Sequence, residues 1–170
     1  MSTPLTDLSS RDFGFAAERL LLPIDLRKCP LDVFPFANGF TKPFGGEVIL
    51  LHVLEASAPD DDVMRDAARL HLEHLARDFL RSSVETRQRV RVGVPHEEIF
   101  AEAAETKADL ILLPVHAPSI WQKLAGTRCG STARSVVGGA PCGVFVVDVQ
   151  TRFNCLKRWS AEVSTSRHAA

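Results

Sequence analysis

The sequence predicts an α/β fold, a parallel sheet covered on both sides by helices. Three observations predict it. Short apolar runs recur along the chain, stretches of helical spacing separate them, and several runs lack the alternation of a half-exposed strand, as expected for strands buried on both faces. With 170 residues, 45% of them hydrophobic, the chain is long enough for one domain with a real core and short for two.

RLLLPID, from Arg19 to Asp25, reads as the first strand and ends in an acid. In the following CPLDVFPF, Pro30 suits the first turn of a helix. Pro35, Gly39 and Pro43 keep that helix short or kinked, since an internal proline removes a hydrogen bond and clashes with the preceding turn. After Gly45-Gly46, EVILLHVL (Glu47 to Leu54) is a second strand, broken by one histidine. Asp60, Asp61 and Asp62 stand where a helix dipole favours acids, and Met64, Ala68, Leu72, Leu75 and Phe79 recur at helical spacing down to Leu80. Between Val84 and Val92, Val and Thr alternate with Arg87, Arg89 and Arg91, a strand with a solvated arginine face at a sheet edge.

Pro95 opens a third helix that runs to about Lys107, with Ile99, Phe100, Ala103 and Ala104 as its buried stripe. LILLPV, from Leu110 to Val115, is a fourth strand. Beyond the loop HAPSIWQKLAGTRCGS (His116 to Ser131), a last short helix spans Ser131 to Val137 and stops at Gly138-Gly139. Val144 to Val149 form the fifth strand. Residues 1–18 are expected as an N-terminal extension, 19–150 as the domain, and 151–170 as a tail in which Phe153, Leu156 and Trp159 could line a short amphipathic helix.

The formal net charge of −1 gives no basic field to hold nucleic acid or an anionic membrane. No apolar run approaches the roughly 20 residues of a membrane helix, and the N-terminus lacks a secretion signal, so a cytoplasmic protein is expected. The four cysteines are widely spaced without a CxxC, which reads as free thiols rather than a disulfide framework or a zinc site. Cys129 stands just before a helix N-terminus, where a thiolate is favoured.

Ligands of such sheets collect beyond the carboxyl ends of the strands, here expected between the first and the fourth. Asp25 ends the first strand and Pro114 to Ala117 end the fourth. Gly130, Ser131 and Thr132 open the next helix, whose free N–H groups suit a phosphate. Ser131 and Thr132 also read as helix caps, and Asp25 as a cap of the helix after it or simply the end of the strand. His71, His74 and Asp78 have a spacing that could place metal ligands on adjoining turns, but a solvated helix face is the expected reading and no metal site is assigned. His116 and Cys129 lack an acid to complete a nucleophilic arrangement, so no catalytic residue is assigned. Trp121 reads as a hydrophobic lid on the sheet end.

The segments RLLLPID, GGEVILLHVLE, RVGVPHEEIFAEAAETKADLILLPVHA and GSTARSVVGGAPCGVFVV stand in the order found in the universal stress protein family, which this sequence resembles from Arg19 to about Val149. The resemblance implies a doubly wound, flavodoxin- or Rossmann-like sheet of order 3-2-1-4-5, of the adenine nucleotide alpha-hydrolase-like kind. It also implies a homodimer joined through the last strand (Val144, Phe145, Val146, Val147). Members that bind ATP carry G-x2-G-x9-G-[S/T] after the fourth strand and an aspartate after the first. Asp25 matches the aspartate and Gly130-Ser131 the final pair. Pro114 and Ala117 replace the leading glycines, and twelve residues separate Ala117 from Gly130. A tight phosphate cradle needs backbone N–H groups and small residues, and Pro114 offers no N–H.

The resulting expectation is a non-catalytic stress-response or signalling module that dimerises, binds an unidentified protein partner and holds ATP weakly or not at all. One alternative is an adenine-nucleotide switch using Asp25, Ala117, Gly130, Ser131 and Thr132 around a rebuilt loop. A second is a slow nucleotide hydrolase.

Overall fold

The computed structural model describes residues 16–28, 31–42, 45–55, 62–116 and 131–149. Five strands, β1 (Arg19–Pro23), β2 (Glu47–Leu54), β3 (Glu85–Val92), β4 (Leu110–His116) and β5 (Gly143–Val149), form one parallel sheet in the order β3-β2-β1-β4-β5. This is the expected doubly wound arrangement. Helices α1 (Phe34–Phe40) and α2 (Asp62–Phe79) cover one face, and α3 (Pro95–Thr106) and α4 (Ser131–Gly139) the other.

The period of two along each strand divides the core. Leu20, Leu22, Val48, Leu50, Leu110 and Leu112 meet Phe34, Phe40, Leu72 and Leu75 on the first face. Leu21, Ile49, Leu51, Ile111 and Leu113 meet Ile99, Ala103, Ala133 and Val136 on the second. Each fully buried leucine or isoleucine contributes about 1.5–3 kcal/mol relative to exposure, so the three central strands supply most of the drive to fold.

The first helix is short, as its prolines require. A 3-10 turn at Leu31–Val33 leads into seven α-helical residues, with Pro35 in the first turn, where a missing N–H costs nothing. Pro30 lies outside the described residues. Helix α3 opens on Pro95 with Glu97 and Glu98 in its first turn, and ends on Lys107 in the left-handed conformation, its N–H donated to the carbonyls of Ala103 and Ala104.

Three local expectations need correction. Helix α4 does not stop at Val137 but runs through Gly138 and Gly139. A Cβ on Gly139 would lie 3.1 Å from the Phe100 ring, so this glycine permits close packing of α4 on α3 instead of ending the helix. The buried stripe of α3 is Ile99, Glu102, Ala103 and Thr106, while Ala104 is exposed. Glu102 is turned inward because β3 presents Arg89 and Arg91 to it, so the solvated arginine face holds for the exposed Arg87 but not for these two. Arg89 Nε donates to Glu102 Oε1 at 2.8 Å, Arg91 Nε to Glu102 Oε2, and both guanidiniums reach Glu105. Arg91 also pairs with Glu98, and Arg87 with Glu47 of β2 at 2.8 Å. Strand β3 is at the sheet edge as expected, but its arginines fasten it to α3 and to β2.

Candidate functional site

The strand ladders differ on the two sides of β1. Strand β1 pairs with β2 over its whole length, Arg19↔Glu47 to Pro23↔Leu51, but with β4 only at Leu20↔Leu110 and Leu21↔Ile111. Strands β4 and β5 stay paired to His116↔Val149. Beyond Leu21 and Ile111, β1 and β4 therefore part toward their carboxyl ends. Pro23 and Pro114 lack the N–H that would extend a ladder there.

At the end of β1 the chain turns over Asp25 to Lys28, with Lys28 N–H donating to Asp25 O at 2.9 Å. The Asp25 carboxylate accepts the main-chain N–H of Arg27 at 3.0 Å, the local bond that makes aspartate a turn former. Arg27 Nε donates to the same Oδ1 at 3.1 Å, and Nη2 donates to Glu55 Oε1 at 3.1 Å. Asp25, by its hydrogen bond and then its charge, and Glu55 after it, make the Arg27 guanidinium hold its proton more tightly than usual.

His52 of β2 supports this turn from beneath. Its ring is buried, and Nδ1 lies 2.9 Å from the carbonyl oxygen of Ile24, which can only accept, so the proton is on Nδ1. Burial pushes the imidazole below its ordinary pKa, against weaker raising effects from the Ile24 carbonyl and from Asp25. The neutral ring holds Ile24, and Ile24 N–H in turn donates to Leu51 O at 2.8 Å.

Of the sequence-predicted site residues, Asp25 lies just beyond the carboxyl end of β1, and Ser131 and Thr132 form the first turn of α4, Ser131 exposed and Thr132 partly buried. Ala117, Gly130, Trp121 and Cys129 lie outside the described residues. His71 is turned into the core and His74 is half-buried, so the first two members of the α2 triplet leave the solvated face expected for them, while Asp78 is exposed and accepts from Arg77. Among the described residues, no group of three or more His, Cys, Asp or Glu is placed to hold a metal ion. Cys142 is a free, half-buried thiol whose pKa is pushed up by burial and by the charge of Asp109. No helix among the described residues is long and apolar enough to cross a membrane.

The family model of the universal stress proteins matches residues 17–148, nearly all of the described structure. The chain belongs to the universal stress protein family. Solved structures agree in fold. The hypothetical protein MJ0577 is 22% identical with a TM-score of 0.64, the match covering 78% of this chain and 96% of that one. A universal stress protein solved in complex with cAMP is 20% identical with a TM-score of 0.53, covering 79% and 99%. One from Archaeoglobus fulgidus, solved in complex with dAMP, is 18% identical with a TM-score of 0.51, covering 76% and 97%.

In this universal stress protein, Pro114 is an integral part of β4 and pairs with Val147. The Arg27 bridge to Glu55 and the His52 support were not picked out from the sequence. The signal for the first was present, an arginine two residues after an aspartate that ends a strand. Glu55 joins them only through the parallel pairing of β1 with β2.

Proposed function

We propose that this universal stress protein is a non-catalytic stress-response or signalling module that pairs with a second copy of itself and with a protein partner, holding ATP weakly or not at all. The observation that carries the reading is the outer side of β5. Phe145 and Val146 are 39% and 40% exposed, on opposite faces of an edge strand, and Val137 of α4 is 56% exposed. Phe145 rests on the rings of Phe36 and Phe40, at centroid distances of 6.5 and 4.5 Å, so the apolar surface continues onto α1. An edge strand can pair antiparallel with its own copy about a two-fold axis, satisfying its outward main-chain groups.

The expected contact set, Val144, Phe145, Val146 and Val147, needs one correction. Val147 is 5% exposed and packs in the core, so it joins a strand pairing through its main chain alone. Val147→Lys would report unfolding. Val146→Lys is the clean test: light scattering should then give the monomer mass, and an unchanged dimer would remove this edge from the interface. On this reading residues 19–150 are the working unit, residues 1–18 and 151–170 an extension and a tail, and the protein acts in the cytoplasm without nucleic acid or membrane.

A second reading, an adenine-nucleotide switch, is favoured by the parting of β1 from β4 and by the relatives solved with cAMP and dAMP. Asp25, Ala117, Gly130, Ser131 and Thr132 would line the site. ATP titration by calorimetry tests it: binding abolished by Asp25→Ala supports it, and binding that persists disconnects the aspartate. Multiple-turnover release of phosphate, lost in the same variant, would move the reading to a slow hydrolase.

A further inference from the structure

The face of β5 that meets α1 carries an apolar patch that its neighbours cover only in part. Phe145 is half-exposed and rests on the Phe36 and Phe40 rings. Leu31 and Phe36 are themselves partly buried against the same core, so the 3-10 turn, α1 and β5 share one surface. Helix α1 runs toward the amino ends of the strands, where Phe40 O accepts from Ala17 N–H at 2.7 Å. The 3-10 turn before it therefore lies at the carboxyl ends, in contact with β5. This turn and α1 carry Asp32 and no basic residue, so the patch has an acidic rim where β5 ends at Val149.

We propose that the chain's own C-terminal segment, residues 153–163, folds back as a helix on this patch, laying Phe153, Leu156 and Trp159 over Leu31, Phe36 and Phe145 with Arg152 beside Asp32. The segment lies outside the described residues, and it is the stretch of chain that leaves β5 beside the patch. Covering the α1 side of β5 leaves its outward main chain and Val146, on the opposite face, open for self-pairing.

Length, order and charge support this occupant. Phe153, Leu156, Trp159 and Val163 recur at helical spacing and share one face of a helix. From Val149 back to Phe145 is about 13 Å of strand, and a helix over 153–163 is about 15 Å long. A chain turning back at Val149 meets Asp32 and Leu31 first, then Phe36, then Phe145. The tail presents Arg152 first, then Phe153 and Leu156, then Trp159, with Lys157 and Arg158 adding to its positive charge. Removing apolar surface from water drives the docking, and the exposed ion pair adds a modest, salt-screened part.

The chain has two tryptophans, Trp121 and Trp159, so Trp121→Phe in the full chain leaves Trp159 as the reporter. In buffer its fluorescence should be shielded from acrylamide compared with the same chain in urea. Adding Leu156→Asp should abolish the shielding while circular dichroism stays unchanged, and Phe36→Asp should do the same from the other side of the contact. Should Phe36→Asp unfold the chain, Asp32→Lys decides instead: it should weaken docking about two- to fivefold at low salt, an effect that added salt reduces. Trp159 quenched as readily in buffer as in urea overturns the proposal. Shielding that survives Asp32→Lys and a folded Phe36→Asp also overturns it, by seating the tail elsewhere. Shielding that fades on dilution gives the patch to the tail of a second copy and overturns the fold-back within one chain. None of these outcomes depends on Val146→Lys, so the self-pairing reading stands or falls apart from them.

Discussion

Replacing Glu102 by alanine should be the most damaging single change among the charged residues described here. Its side chain is wholly buried on α3, with Arg89 Nε on one carboxylate oxygen at 2.8 Å and Arg91 Nε on the other. Alanine would leave two guanidiniums facing a hole, and removing one partner from a buried ion pair costs about 3–5 kcal/mol. Arg89 and Arg91 are 37% and 21% exposed and keep Glu105, and Glu98 for Arg91, so water and remaining partners place the cost at the lower end, about 3 kcal/mol. For a chain of this length that is a fall of about 6–12 °C in melting temperature. Urea and thermal unfolding followed by circular dichroism would measure it. The triple change Arg89→Met, Arg91→Leu, Glu102→Leu should regain most of the loss, because an apolar replacement leaves no buried charge unpaired. A loss below about 1 kcal/mol for Glu102→Ala, or a triple variant less stable than the single one, would refute the assignment of the buried carboxylate to the arginines.

The lowered pKa of His52 has a definite sign. The unfolded chain takes up this proton near pH 6.5 while the folded chain resists, so the contribution is full above about 6.5 and is lost as pH falls from there through the folded value. Stability should decline by up to about 1.4 kcal/mol per pH unit in that window from this group; His52→Asn, which can still donate to Ile24 O, should flatten urea midpoints there, and an unchanged slope would absolve His52. Gly139→Ala should destabilise by about 1 kcal/mol through the Phe100 contact, whereas Gly138→Ala, with nothing within 4 Å of its Cβ, should be neutral or stabilising; equal melting temperatures would contradict the packing argument. Arg81→Ala should cost about 1–2 kcal/mol by freeing the carbonyls of Asn38 and Thr41 at the end of α1, while exposed Arg77→Ala should stay within about 0.5 kcal/mol, and denaturant midpoints of the two compare them directly.

What the sequence made legible was whatever a single segment determines. EVILLHVL is apolar on both faces because its strand sits between two layers, and in α2 the helical period is buried at Ala68, Leu72 and Leu75 while its ends, Met64 and Phe79, are exposed. The strand order came with the family resemblance, since the alternation of elements does not distinguish one parallel order from another. Glu102 was missed because its burial depends on a strand that precedes its helix. Yet Arg89 and Arg91 share one face of β3, and Glu98, Glu102 and Glu105 share one face of α3, so the complementary periods were there to be read. The inward turn of Val147 follows from its period-two partnership with Phe145. One is buried and the other half-exposed because α1 and the sheet cover them unequally, which no local pattern records. At the site, Asp25 was found at the end of the first strand, but its engagement by Arg27 and Glu55 depends on two strands lying side by side.

The polar contacts divide the molecule into two ends with different tasks. At the amino ends of the strands they are numerous. Asp109 accepts from Glu18 N–H at 3.0 Å and from Arg19 N–H, Arg19 Nη1 donates to Thr106 O at 3.0 Å, Lys42 pairs with Glu18 at 2.6 Å, and Arg81 holds the end of α1. These bonds staple β1 to β4, and α1 to both β1 and the end of α2. At the carboxyl ends of β1 and β2 the described side-chain contacts are the Asp25, Arg27 and Glu55 bridge, the Lys28 pair with Asp25 and the His52 support, while Arg91 joins Glu98 near the end of β3. An exposed bridge like that of Asp25, Arg27 and Glu55 contributes little to stability. Asp25→Ala and Arg27→Ala should therefore leave the fold nearly intact, so a change in ligand binding by either can be read as a property of the site. In a parallel sheet this separation is expected: every strand delivers its carboxyl end to the same side, and residues there can vary while the opposite end keeps the strands in register.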